Sequence, residues 1–138
     1  MILPEPKEML GGCVWLPRIL CKARLLSEGK LPDDYEDRFC HPTGVDGQFL
    51  RFFGLDRETV LEMARMPDCD ALDHFQRERG VGPEKIAEWN EIAVNLGREG
   101  YPMSERFRVA LSTTYRYLND GRVETIFEML KADDLASR

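Results

Sequence analysis

Glycine and proline cut this chain into short lengths, and that punctuation restricts it to short elements. Its 138 residues hold 11 Gly and 8 Pro, and between them the apolar residues recur with a helical period. Ile86, Trp89, Ala93 and Leu96 fall at i, i+3, i+7 and i+10, one stripe of a helix. Pro83 suits the first helical position, where no intrahelical bond needs its missing N–H, and Gly97 suits the left-handed residue that closes the last turn. The same spacing predicts a long helix after Ser104, with Phe107, Ala110, Leu111, Thr114, Tyr115 and Leu118 on one face and Asn119-Asp120-Gly121 as its stop. A last helix carries Val123, Ile126, Phe127 and Leu130 at i, i+3, i+4 and i+7.

Upstream, the segments are shorter. From Pro17 to Leu26, the side chains of Ile19, Leu20, Ala23 and Leu26 share one side. Asp46 is placed to cap a helix holding Phe49, Leu50, Phe52 and Phe53 that stops at Gly54. Asp56 is placed to cap Arg57–Met66 and Asp70 to cap Ala71–Arg79, each setting a carboxylate at the positive end of a helix dipole. No stretch alternates with a period of two over a useful length, so no strands are expected. The expectation is an all-α fold: a single compact domain over residues 1–138 with roughly six or seven short helices. Residues 1–12 form an N-terminal arm and residues 132–138 a fraying tail.

Composition narrows the function. The formal net charge is −6 and the isoelectric point about 5.0, which opposes the phosphate neutralisation that sequence-independent nucleic-acid binding needs. The pair of helices either side of Gly80-Val81-Gly82 resembles a helix-turn-helix, but the second helix offers Glu84, Glu88 and Glu91 against Lys85 alone. Phosphate would repel it, so an αα-hairpin is the better reading and no nucleic-acid partner is expected. Residues 1–12 have no basic leader region, and Cys13–Leu26 is interrupted by Pro17, Arg18, Lys22 and Arg24. Neither a secretory leader nor a membrane span is expected, which points to a cytoplasmic protein whose four cysteines are thiols.

Three clusters can carry chemistry. Met9–Ser27 contains no acid but does contain Arg18, Lys22 and Arg24, and the run Glu28–Asp37 that follows is acidic. Arg18 and Lys22 are i, i+4 neighbours near the indole of Trp15, where an arginine fork and a lysine point charge can receive a carboxylate or phosphate. Pairing with the acidic run is the simpler use of the same bases. The loop Cys40–Gly47 gathers a thiol, His41, Thr43 and Asp46; His41 there can act as acid or base, or the loop can merely turn and cap. Trp89 lies on the apolar stripe, with Asn90 at its edge as a hydrogen-bond partner for a ligand should the indole line a cavity. No metal site or cofactor is assigned. Cys40 and His41 are adjacent, and Cys69 and His74 are five apart, which turns them about 140° from each other on a helix.

One motif is distinctive enough to suggest kinship. Gly11-Gly12-Cys13-Val14-Trp15-Leu16-Pro17-Arg18, continuing to Lys22-Ala23-Arg24, resembles a bacterial family of small proteins classed as a domain of unknown function, DUF5069. Asp46-Gly47-Gln48-Phe49-Leu50 leading to Phe53-Gly54-Leu55, and Ile86-Ala87-Glu88-Trp89-Asn90, are similar to the same family. The resemblance implies a bacterial, intracellular, single-domain protein and carries no catalytic residue with it.

The favoured function is binding of a small anionic metabolite or peptide carboxylate through Arg18, Lys22 and Arg24 near Trp15, with His41, Asp46, Trp89 and Asn90 as further contacts. A second class is an interaction or homo-oligomeric module presenting the Phe49–Phe53 segment or the C-terminal helix to a partner or a second copy. A third is a small enzyme using His41, Asp46 and Lys22 as acid, base and electrostatic stabiliser.

Overall fold

Gly11 and Gly12 make the first turn. Both sit at positive φ, 59° and 78°, the backbone of a two-residue hairpin turn that other residues adopt only at a cost. In this computed structural model, which describes residues 3–136, they join strand β1 (Met9–Leu10) to β2 (Cys13–Val14), with Met9 opposite Val14 and Leu10 opposite Cys13. The expectation of no strands is corrected here. Two residues per strand are too few to show alternation, and only the Gly-Gly pair signalled the hairpin.

Eight α-helices follow among the described residues, against the six or seven expected: α1 (Leu16–Ser27), α2 (Asp33–Arg38), α3 (Val45–Phe53), α4 (Arg57–Ala64), α5 (Asp68–Asp73), α6 (Pro83–Val94), α7 (Ser104–Ser112) and α8 (Ile126–Ala136). The chain is thus mostly helical, with a single small hairpin. Helix α1 is central and packs along α4, while α6 lies against β2. Phe49, Phe53, Phe75 and Trp89 fill the centre, with Phe49 5.4 Å from Trp89 and Phe53 5.0 Å from Phe75. Each fully buried aromatic of this kind contributes roughly 1.5–3 kcal/mol. Phe49, Leu50 and Phe53 are therefore core and Phe52 is half-buried, which leaves little of the apolar face expected to meet a partner exposed.

Local chemistry explains where the helices depart from expectation. The long helix after Ser104 breaks at Thr113, and a 3₁₀ turn (Arg116–Leu118) continues the chain. The hydroxyls of Ser112 and Thr113 both donate to the Val109 carbonyl. That back-bonding competes with the helical ladder, and Tyr115 N–H reaches back to Ala110. Phe107, Tyr115 and Leu118 are still buried, but they no longer share one element. Asp70 does not cap: α5 starts at Asp68 behind Pro67 and runs into a π-helical turn, His74–Glu78. Val123 is buried ahead of α8, which begins after Thr125, whose Oγ1 accepts from Glu128 N at 3.2 Å. Residues 132–136, expected to fray, continue α8; residues 137 and 138 lie outside the described part.

The expected cap at Asp46 is also corrected. Helix α3 starts two residues earlier than a cap at Asp46 would set it, behind Gly44, which puts Asp46 in the first turn with its side chain buried. Gly47 allows this: a Cβ there would sit 2.5 Å from the Pro42 carbonyl oxygen and 2.6 Å from that of His41. The loop lies directly on the helix only because this side chain is a hydrogen.

Candidate functional site

Trp15, with φ at 74°, joins β2 to α1, and its indole turns inward to 2% exposure. Its Nε1 donates to Asp46 Oδ1 at 2.7 Å, and Phe127 stacks on the ring with centroids 5.4 Å apart. Lys22 Nζ lies 5.0 Å from the indole centroid and donates to Asp46 Oδ2 at 2.8 Å. The same oxygen accepts from Cys40 N at 2.9 Å. A buried carboxylate is costly unless its lone pairs are used, and Asp46 receives an indole, an ammonium and a backbone amide.

Cys40 reaches that geometry in the left-handed region, φ 56°. Burial, with the adjacent Asp46 charge, pushes its thiol up to about 12, so at neutral pH it is a poor nucleophile.

Arg18 also leans on the indole, its guanidinium 5.3 Å from the ring centroid. It is 2% exposed and donates to Asp134 Oδ2 at 2.7 Å and Oδ1 at 3.3 Å, and to the Pro4 carbonyl at 3.2 Å. Its Nε has no hydrogen-bond partner among the described residues. Tyr35 donates to Asp134 Oδ1 at 3.2 Å, and burial together with that carboxylate pushes its phenol up to about 12. Arg18 and Lys22 therefore pair with acids on α8 and α3, not with the Glu28–Asp37 run.

These groups form one side of a cavity of about 660 Å³. Trp15, Arg18, Lys22 and Asp46 line its interior; Arg38 on α2, His41 in the loop and Arg106 on α7 are exposed and line its mouth. The apolar part of the lining is Met103, Val109 and Ala110 from α7 and its approach and Ile126, Met129 and Leu130 from α8, interspersed with Glu105, Arg106, Thr113 and Thr114. A volume in this range and a mixed lining suit a small organic ligand. Met103, like Trp15 and Cys40, has positive φ, 69°. All three left-handed non-glycine residues of the described chain lie on or beside the cavity, a pattern associated with functional sites.

The polar wall has donors to spare and few acceptors. His41 Nδ1 accepts from Thr43 N at 3.2 Å and meets its hydroxyl at 2.8 Å. A backbone amide can only donate, so the neutral ring carries its proton on Nε2. Arg38 donates to Tyr115 Oη at 2.5 Å, and its guanidinium stands 5.7 Å from that ring's centroid. Among the acids, Asp46 is occupied as described and Glu105 pairs with Arg108. Asp37 is exposed at the edge.

Of the residues singled out by sequence, Trp15, Arg18, Lys22, His41 and Asp46 meet at this cavity. Arg24, Trp89 and Asn90 are not on its wall. Arg24 donates to the carbonyls of Ala64 and Met66, both at 3.0 Å, and pairs with Asp68 at 2.8 Å. It thus satisfies the C-terminal end of α4, where a cation is favourable. Trp89 is 1% exposed and donates to the Val14 carbonyl at 3.0 Å. Asn90 accepts from Val14 N at 3.0 Å and donates to the Gly12 carbonyl at 2.7 Å, fixing the hairpin. Sequence reading missed Tyr35, Arg38, Arg106 and Tyr115. Arg106 is exposed, and only the fold shows that it borders a cavity.

Among the described residues, no group of three or more His, Cys, Asp or Glu is arranged to hold a metal ion, and all four cysteines are free. No helix is long and apolar enough to cross a membrane. A family profile described as "Domain of unknown function (DUF5069)" matches residues 2–136. Neither the curated proteins nor the solved structures contain a match.

Proposed function

We propose, for a chain that belongs to the DUF5069 family, that it is a binding module for a small organic anion with an apolar body. The observation that supports this reading is the mixed lining of the cavity. Apolar side chains of α7 and α8 stand beside the exposed donors Arg38, His41 and Arg106, while the buried carboxylate of Asp46 is already occupied by three donors. A ligand that fills such a site brings its own acceptors. The roles of Arg18 and Lys22 shift accordingly. Each is neutralised by a buried or half-buried carboxylate, so they shape the interior rather than hold a free charge.

An enzymatic role for His41, Asp46 and Lys22 draws on their sharing one cavity. It is the weaker reading, because Asp46 has spent its lone pairs on three donors and Lys22 is committed to Asp46.

The test uses 1-anilinonaphthalene-8-sulfonate, an anion with an apolar body whose fluorescence rises out of water. The protein is expected to give saturable one-to-one enhancement, and Ala110→Trp, which intrudes on the cavity, to remove it while circular dichroism stays unchanged. Enhancement that is indifferent to Ala110→Trp and to Met129→Trp contradicts the reading.

A further inference from the structure

We infer that the ligand of this cavity is a monocarboxylate, and that Arg106 on α7, rather than Arg18 or Lys22, holds its carboxylate at the mouth. This rests on the binding function proposed above. Four basic side chains line the cavity: Arg18, Lys22, Arg38 and Arg106. Arg18 is clamped on Asp134 and Lys22 on Asp46. Arg38 has given one amino group to Tyr115 and lies over its ring. Arg106 alone of the four has no ion pair, hydrogen bond or ring contact among the described residues. Its planar fork matches a carboxylate with two parallel hydrogen bonds, a geometry that a lysine does not provide.

Charge selects among anions. Asp134 pairs with Arg18, Asp46 with Lys22 and Glu105 with Arg108, and Asp37 stands exposed at the edge. Arg106 supplies the unpaired positive charge that a single negative charge balances. A phosphate monoester, dianionic at neutral pH, would bring its second charge to a mouth that also carries Asp37 and Glu105. His41, whose Nδ1 accepts from Thr43 N, turns its Nε2 donor to the same mouth. The body of the ligand then lies inward, toward Ala110, Ile126 and Met129.

Isothermal titration calorimetry with decanoate, decan-1-ol and decyl phosphate tests this on the wild-type protein, Arg106→Gln and Arg106→Lys. Decanoate is expected to bind roughly tenfold or more tightly than the alcohol, the range of a charge-assisted hydrogen bond. Arg106→Gln should remove that advantage while leaving the affinity for decan-1-ol unchanged, and Arg106→Lys should recover only part of it. If Arg106→Gln keeps the preference, or if decyl phosphate binds more tightly than decanoate, the assignment is overturned while the cavity remains a binding site. If neither decanoate nor decan-1-ol binds, the binding reading itself fails and the assignment fails with it.

Discussion

The indole Nε1 of Trp15 donates to Asp46 Oδ1 at 2.7 Å, a bond that joins positions 31 residues apart. It ties the start of α1 to the first turn of α3, and the second oxygen of the same carboxylate takes Lys22 and the Cys40 amide. The polar interior of the cavity is organised around this acid. Without Asp46, a buried ammonium, an indole N–H and a backbone amide would all lose their acceptor.

Asp46→Ala is therefore expected to cost about 3–5 kcal/mol in urea unfolding, because it leaves Lys22 buried and unpaired. Asp46→Asn, which still offers an oxygen, should cost less. The double variant Lys22→Met with Asp46→Ala should be more stable than the sum of the two single losses by at least about 1 kcal/mol. Simple additivity would show that the pair does not act as a unit.

Ionisation of the buried thiols and phenol makes stability fall at high pH. Burial raises Cys13 and Cys40 to about 12, and Tyr35 also stands at about 12, raised by burial and by Asp134. In the unfolded chain the thiols titrate near 9 and the phenol near 10. These groups therefore favour the folded state fully below about pH 9, and that contribution is lost progressively as pH rises toward 12. Melting temperature should fall between pH 9 and 11, and less steeply in Cys40→Ala. With a disulfide reagent at pH 8, exposed Cys69 should react first, half-buried Cys40 much more slowly, and buried Cys13 only on unfolding. Prompt labelling of Cys40 in the folded protein would refute the assignment.

Gly47→Ala should destabilise by about 1–3 kcal/mol, as overpacking does, although alanine is the better helix former. Its new methyl would meet the carbonyls of His41 and Pro42, which are backbone and cannot swing aside. Gly82→Ala, with open space around the added carbon, should cost less than about 1 kcal/mol. Equal melting temperatures for the two variants would show that the loop is not pressed on α3.

Asp134→Ala should loosen the end of α8. It removes the bidentate partner of Arg18 and the acceptor of Tyr35, with an expected loss of about 2 kcal/mol. Amide exchange of residues 131–136 should accelerate well beyond the global change. Unchanged exchange there would mean that the turn is held by other contacts.

Legibility in the sequence followed distance along the chain. The stripe Ile86, Trp89, Ala93 and Leu96 was readable because α6 turns the first three the same way and Leu96 follows directly in the turn that closes it, and all four are buried. Trp15, Arg18 and Lys22 were readable as a cluster for the same local reason. Their partners were not: Lys22 finds Asp46 24 positions away and Arg18 finds Asp134 116 positions away, pairings that only tertiary packing creates. Asp46 looked like a cap because aspartate ahead of an apolar run usually is one. The break at Thr113 was hidden because the apolar period runs on through Tyr115 and Leu118, while the hydroxyls that divert the backbone carry no periodic signal.

The most direct measurement of the central claim follows the two tryptophan side chains by ¹H–¹⁵N NMR during a titration with decanoate. Trp15 lines the cavity; Trp89 is buried in the core with its N–H on Val14. The account predicts that the Trp15 indole resonance moves in a saturable manner while that of Trp89 stays in place. A Trp15 resonance that does not respond at saturating decanoate, or one that moves no more than Trp89, would contradict it.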